Sequence, residues 1–249
     1  MQYWSINRTV PYERASRLQR ALVELRSQGA IPDTVLFLEH DPVITRGRGM
    51  QHTGEERERH APLDAAILPP GIVLAESERG GDLTYHGPGQ LVVYPILKLD
   101  GEGFSPHHDV AGYLRKMEQL FLDELASMGL RGEARESATG VWVGDRKLAS
   151  IGVAVRKWVT YHGMALNVVN DLAPFLLFRP CGFRGEVMTR LWDLFRDALP
   201  EGLPDWSQWR PWLEERLVAR FESGLSPSGV TAITRFSIDE ADERARVSP

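Results

Sequence analysis

Four short segments concentrate the residue types that make and break bonds. The single cysteine of the chain, Cys181, lies in Phe178-Arg179-Pro180-Cys181-Gly182-Phe183. A lone cysteine is ordinarily a small buried hydrophobe. This one stands between Pro180 and Gly182, a turn setting rather than an apolar stripe, where a thiol can be reached. With a reference pKa of about 8.5, only a few per cent of such a thiol is thiolate at pH 7. A neighbouring ammonium lowers that pKa and raises the reactive fraction. Lys147, in Gly140-Val141-Trp142-Val143-Gly144-Asp145-Arg146-Lys147-Leu148-Ala149-Ser150-Ile151-Gly152, is a candidate. A lysine after a hairpin turn is usually just solvated; only a paired thiol would make it chemically interesting.

The third segment is Arg79-Gly80-Gly81-Asp82-Leu83-Thr84-Tyr85-His86-Gly87-Pro88-Gly89-Gln90. Its glycines permit close approach of backbone to a ligand. Arg79, Thr84, Tyr85, His86 and Gln90 add side-chain hydrogen-bonding groups. The ordinary reading is a solvated hairpin loop, but the density of polar groups favours a binding loop. It matches neither GxxxxGK[ST] nor a clean GxGxxG, so the standard nucleotide fingerprints are absent. The fourth segment is His162-Gly163-Met164-Ala165-Leu166-Asn167-Val168. Gly163 and Ala165 either leave room against a ligand or let two strands pack closely. His162 is either a satisfied polar residue or a base.

The other histidines carry less. His107-His108 precedes a helix, and His52 and His60 lie in a charged surface stretch. No HExxH or other metal-ligand spacing occurs, so neither a metal nor a cofactor is expected. Arg46, Arg48, Arg57 and Arg59 form a local basic stretch: a solvated face in the usual case, a docking patch for an acidic partner in the alternative.

Composition narrows the classes. The 249 residues carry 29 basic and 34 acidic side chains, a net charge of −5. That balance opposes bulk nucleic-acid binding, which needs a dense basic surface. The chain is 43% hydrophobic, as globular proteins are, and long enough to bury a core without staples. One cysteine forms neither an intrachain disulfide nor a thiolate zinc site. No apolar run approaches about 18 residues, so no membrane span is expected. Met1-Gln2-Tyr3-Trp4 does not open a signal peptide, and the cytoplasm is the expected compartment.

Periodicity outlines the elements that must hold these segments. Pro11 to Gln28 reads as a helix, with Ala15, Leu18, Leu22 and Leu25 on one face. Val110 to Met128 is a stronger amphipathic helix. Strands are expected at 34–38, 71–75, 91–97, 140–143, 148–155 and 164–169, with Pro95 pointing to an edge or a bulge. Further helices are expected at 187–198 and 211–222, and a loosely ordered tail at 240–249. Strand and helix do not alternate regularly, so the expected class is α+β with a mixed sheet.

Taken together, the four segments resemble one family, the lipoyl(octanoyl) transferases of lipoate biosynthesis. The resemblance is carried, in order, by RGGDLTYHGPGQLVVYP, GVWVGDRKLASIGV, HGMALNV and PCG, within roughly residues 30 to 190. It implies a mixed sheet flanked by helices, similar to the catalytic domain of biotin and lipoate protein ligases. The expected division is a catalytic domain over 1–200 and a C-terminal extension over 201–249 that packs on the core. The implied reaction moves an octanoyl group from octanoyl-acyl carrier protein, through a cysteine thioester, to a lysine of lipoyl domains. Those of 2-oxoacid dehydrogenases and the glycine cleavage H protein are the implied recipients.

The resemblance makes Cys181 the nucleophile and Lys147 its partner, with His86 or His162 in reserve for the proton. It assigns Arg79, Gly80, Gly81, Asp82, Leu83, Thr84, Tyr85 and His86 to the acyl-thioester site. Ser150, Ile151, Gly152, Gly163, Met164 and Ala165 join them. Backbone N–H groups in these turns would steady an oxyanion. Arg46, Arg48 and Arg79 are the candidates for meeting acidic partners. One departure stands out: a V-T-S-L-like run usually follows PCG, whereas this chain has Met188-Thr189-Arg190-Leu191. Two rivals remain: an ATP-dependent lipoate or octanoate protein ligase, and a non-catalytic acyl- or lipoyl-binding protein.

Overall fold

The computed structural model describes residues 1–51, 63, 68–100, 108–135, 138–180, 183–195, 208–225, 229 and 232–247. Cys181 and Gly182 therefore lie outside the described residues, as do Arg57, Arg59, His52, His60 and His107.

The run Thr34-Val35-Leu36-Phe37-Leu38 shows how the molecule is layered. It forms β2 (Thr34–His40). Val35 and Phe37 point into one core and Leu36 and Leu38 into another, because side chains alternate along a strand. A strand covered on both faces reads as a continuous apolar run. Its neighbours are β1 (Gln2–Val10), parallel to it, and β6 (Gln90–Ile96), antiparallel. Beyond β6 come β10 (Val159–Asn167), β9 (Arg146–Arg156), β8 (Gly140–Val143) and β7 (Glu133–Ala134), each antiparallel to the last. On the far side of β1, β11 (Ile233–Phe236) pairs in parallel and completes an eight-stranded mixed sheet.

One face is covered by α1 (Tyr12–Ser27) and α5 (Ile238–Val247), the other by α2 (Val110–Ser127) and α4 (Trp209–Gly224). α1 buries Ala15, Leu18 and Leu22, the stripe its spacing predicts. α2 starts where the Asp109 carboxylate accepts the Gly112 N–H at 2.8 Å, an N-cap. A second sheet, β4 (Val73–Glu76), β3 (Val43–Arg46) and β5 (Leu83–His86), carries a third small core. There Ile44, Leu83 and Tyr85 meet Phe175, Phe178 and Met188. The helix α3 (Leu191–Leu194) follows.

The α+β expectation is met, and several elements differ. β6 is an interior strand in spite of Pro95. Pro95 has no N–H to give to β10, and the pairing is mended by side chains. The Thr160 hydroxyl donates to the Pro95 carbonyl at 2.7 Å and accepts the Leu97 N–H at 3.0 Å. β10 starts at Val159 rather than Met164, so His162 and Gly163 belong to a strand. The helix expected at 187–198 is a 3₁₀ turn at Gly185–Val187 and the single turn α3; 196–200 fall outside the described residues. The polar tail expected at 240–249 is helical through Val247, with Ala241 buried and Arg14 paired to Asp239 and Asp242.

Candidate active site

The glycine-rich loop lies directly on the end of β9. The Gly80 N–H donates to the Val153 carbonyl at 2.9 Å, and a Cβ on Gly152 would fall 2.9 Å from the Gly80 carbonyl oxygen. A Cβ on Gly163 would likewise collide with the Val93 carbonyl. These glycines serve close approach of one backbone to another. Gly80 has already spent its N–H and cannot offer it to an oxyanion.

Between this loop and strands β9 and β10 runs a cleft of about 490 Å³, counting its open mouth. Arg79 to Thr84, His86, Lys147, Ser150 to Gly152 and Gly163 to Ala165 line it, together with His162. Of the sequence-predicted substrate residues, Tyr85 alone does not. Adjacent strand residues face opposite ways, and its ring packs edge-on against Phe175 at 5.6 Å, in the third core.

Lys147 occupies one end. It is 1% exposed, not solvated as a lysine after a turn would be. Its ammonium nitrogen stands 5.6 Å from the centre of the Trp142 ring, a cation–π placement. Its carbonyl accepts the Thr189 N–H at 2.9 Å, and its backbone bridges to Met188. Phe183 packs edge-on against the same Trp142 at 5.3 Å, and its N–H donates to the Pro180 carbonyl at 3.0 Å. The residues after the Cys181-Gly182 pair are thus tied to Lys147 or to its indole neighbour, and Phe183 in turn holds the Pro180 carbonyl before it. Arg190, where a small residue was expected, donates to the Val169 and Asn170 carbonyls and pairs with Asp193. It fastens the segment after the cysteine to the end of β10.

The other end is a wall of rings. Tyr12 of α1 lies parallel to His86 (6.2 Å) and to His162 (6.5 Å). His40 and Tyr94 close the group. His40 Nδ1 faces the Val10 carbonyl at 2.9 Å, so that nitrogen carries the proton, and Nε2 accepts from the Tyr94 hydroxyl at 2.8 Å. His86 Nδ1 donates to Gln90 Oε1 at 2.8 Å. The Gln90 amide donates to the Tyr85 carbonyl and to Asn167 Oδ1, and Asn167 donates to the Thr189 carbonyl at 3.0 Å. A buried chain of hydrogen bonds therefore runs from the imidazole end to Thr189 beside Lys147.

All three imidazoles are neutral. Burial pushes His40 down to about 4 and His162 down to about 3, the latter helped by the Arg79 charge. Burial also holds His86 well below the usual histidine range, with His40 and Arg79 adding to it. A group with so low a pKa is a weak proton acceptor at neutral pH. His86 and His162 are accordingly poor understudies for Lys147. His162 is strained as well: its φ of +58° lies in a region non-glycine residues seldom visit. Its Nε2, Gln19 Nε2 and Thr84 Oγ1 are buried without a hydrogen-bond partner among the described residues.

Arg79 is only 8% exposed, and its guanidinium donates to Thr45 and to the Asp82 and Gly80 carbonyls. It braces the loop and does not belong to a surface patch. Arg48 is exposed and stands 4.0 Å from the Glu78 carboxylate, while Arg46 pairs with Glu76. Tyr12, His40 and Tyr94 escaped the sequence reading because they come from α1, β2 and β6. Their only local trace is a histidine ending an otherwise apolar strand and tyrosines in apolar stripes. Among the described residues no cluster suits a metal ion, and no helix is long and apolar enough to cross a membrane.

A family model for the lipoyl protein ligase A/B catalytic domain matches residues 11–201. The octanoyltransferase of Geobacter metallireducens is 42% identical over 191 residues, 77% of this chain and 82% of that protein. The octanoyltransferase of Gloeobacter violaceus is 45% identical over 179 residues, 72% of this chain and 74% of the other. Among solved structures, a lipoate-protein ligase A bound with ATP superposes with a TM-score of 0.67 at 19% identity, covering 99% of this chain and 93% of that one. A bipartite lipoate protein ligase of Thermoplasma acidophilum gives 0.62 at 18% identity, covering 99% and 91%. At such identities the likeness is one of fold.

Proposed function

The chain belongs to the lipoyl protein ligase A/B catalytic-domain family and, within it, to the octanoyltransferases, acyltransferases of protein lipoylation; from that premise we propose a route for the acyl group. The donor is octanoyl-acyl carrier protein, the relay is a thioester on Cys181, and the acceptor is a lysine amine of a lipoyl domain. The lipoyl domains of 2-oxoacid dehydrogenases and of the glycine cleavage H protein are the recipients, and the cytoplasm is the setting.

The single observation that carries this reading is the burial of Lys147 in the cleft, joined through its backbone to the residues that follow Cys181. An amine withdrawn from water has lost hydration that an ion pair with a thiolate restores. The proton then circulates without a third base. In the resting pair the thiol proton rests on Lys147, leaving a thiolate. The thiolate attacks the octanoyl thioester carbonyl. The carrier's C–S bond breaks, and the departing sulfur takes the proton from the Lys147 ammonium. The neutral Lys147 amine next accepts a proton from the incoming lysine amine as that nitrogen attacks the acyl-enzyme. The Cys181 C–S bond breaks, the amide forms, and the thiolate–ammonium pair is restored. The first exchange, thioester for thioester, is nearly balanced; amide formation makes the second downhill. The octanoyl chain occupies the cleft along β9 and β10, where each buried methylene contributes about 0.8 kcal/mol.

The test uses the whole chain, octanoyl-acyl carrier protein and a lipoyl domain, without ATP. Intact-mass analysis should show one octanoyl adduct on Cys181, then the octanoylated lipoyl domain, and Cys181→Ala should remove both. Transfer that needs ATP and survives Cys181→Ala would establish a ligase instead. Absence of both adduct and transfer would leave an acyl-binding protein.

A further inference from the structure

His162 stands at the end of the cleft away from Lys147 and is held there by unusual means. Met164↔Val93 and Lys98↔Val159 keep a single register, which sets Pro95 opposite His162 across β6 and β10. Pro95 has no N–H to offer the facing strand, and separately the His162 N–H donates to Gln19 Oε1 on α1 at 2.7 Å. The backbone takes a φ of +58°, and the ring fills the space against Tyr12 and, edge-on at 5.9 Å, Tyr94. It is 1% exposed and lines the cleft, with Nε2 lacking any partner among the described residues. Strain retained at one position of an otherwise regular strand is a mark of use.

We propose that His162 sets the acyl chain length by closing the far end of the cleft at a fixed distance from the reacting carbonyl. The proposal rests on the octanoyl-transfer reading. Along β9 the cleft extends from Lys147 to Gly152, which faces Gly163, the neighbour of His162. Five strand positions at about 3.3 Å each give roughly 16 Å. The lysine side chain and the thioester occupy the near part. An extended octanoyl chain, with C–C bonds of about 1.5 Å in a zigzag, spans roughly 9 Å, and a dodecanoyl chain roughly 5 Å more. The additional methylenes would meet a packed ring and a buried polar atom, an environment hostile to hydrocarbon on both counts. The stop is thus steric first and polar second.

The experiment compares kcat/KM for octanoyl and dodecanoyl thioesters of acyl carrier protein in wild type, His162→Gly and His162→Phe. Glycine is at ease at positive φ and removes the ring. It should raise the dodecanoyl-to-octanoyl ratio at least tenfold, since each newly housed methylene is worth about fourfold, or about 0.8 kcal/mol. Phenylalanine keeps the ring and removes the nitrogens; its ratio should stay within threefold of wild type. An unchanged ratio in His162→Gly overturns the proposal even if every rate falls equally. So does a shift in His162→Phe as large as that in His162→Gly. A wild type that transfers no acyl chain of any length overturns the octanoyl-transfer reading and this inference together. A wild type that transfers octanoate while His162→Gly keeps its preference overturns this inference alone.

Discussion

The two ends of the cleft are both built around nitrogen bases kept from solvent, and they are built in opposite ways. Lys147 is positioned by its main chain, through Thr189 and Met188, with an indole face beside its amine. The imidazoles are positioned mainly by side chains: His40 by Tyr94, His86 by Gln90, His162 by Gln19 through its N–H. Burial keeps all three neutral, and the Arg79 charge adds to it at His86 and His162. A base becomes reactive when burial leaves it a charged partner, and becomes wall material when burial and a nearby cation suppress its charge. One cleft therefore holds a buried amine beside an indole at one end and neutral imidazoles at the other.

That contrast can be broken first by exchange at each end. Lys147→Met should cost about 10²- to 10⁴-fold in transfer rate, the usual worth of a positioned acid–base group. His86→Gln should cost less than tenfold. Single-turnover octanoyl transfer measures both, and equal losses would erase the distinction.

Acid unfolding sharpens the comparison at the next level. The folded-state pKa values of His40 and His162, about 4 and about 3, lie below the ordinary 6.5, so the unfolded chain binds protons that the folded one refuses. Stability from this source is fully present above about pH 6.5 and is lost as pH falls toward the folded values. The linkage is worth at most roughly 3 kcal/mol for His40 and roughly 5 kcal/mol for His162. Urea midpoints at pH 7 and pH 5 should separate clearly in wild type and draw closer in His40→Gln. A pH-independent midpoint would show that the imidazole end is not neutral by burial.

The smallest effect concerns the bond chain that links the two ends. Asn167→Leu removes the acceptor of Gln90 and the donor to the Thr189 carbonyl. Buried polar groups left in that state cost about 1–3 kcal/mol. Denaturant unfolding should show a loss of that size. No loss would mean that the ends stand independently.

How much of this was legible in the sequence follows the same division. The residues around Lys147 were legible, because lysine, glycine-rich loop and small-residue strand each sit within a contiguous motif, and they line one cleft. The fold class also followed from the irregular order of strands and helices. The ring cluster was legible only in part: His86 and His162 lie in the motifs, whereas Tyr12, His40 and Tyr94 join them only through α1, β2 and β6. Pro95 misled because a proline usually marks an edge, yet the Thr160 hydroxyl ties β10 to the Pro95 carbonyl and the Leu97 N–H on either side of the gap. Lys147 defied the usual fate of a lysine after a turn because a tryptophan lies beneath it. β1, β11 and α5 were missed because strongly polar stretches can still bury alternate residues such as Tyr3, Phe236 and Ala241.

The position of β1 bears on how the chain is made. The strand leaves the ribosome well before its partner, since its outer hydrogen bonds go to β11, more than 200 residues later. At about 5–20 residues per second, translation keeps that edge waiting for ten seconds or longer. A growing chain thus carries an unpaired strand edge, the kind that recruits other chains, until β11 has emerged. β11 closes an edge left open through a long stretch of synthesis, and a nascent chain stalled before it would be a natural client for chaperones.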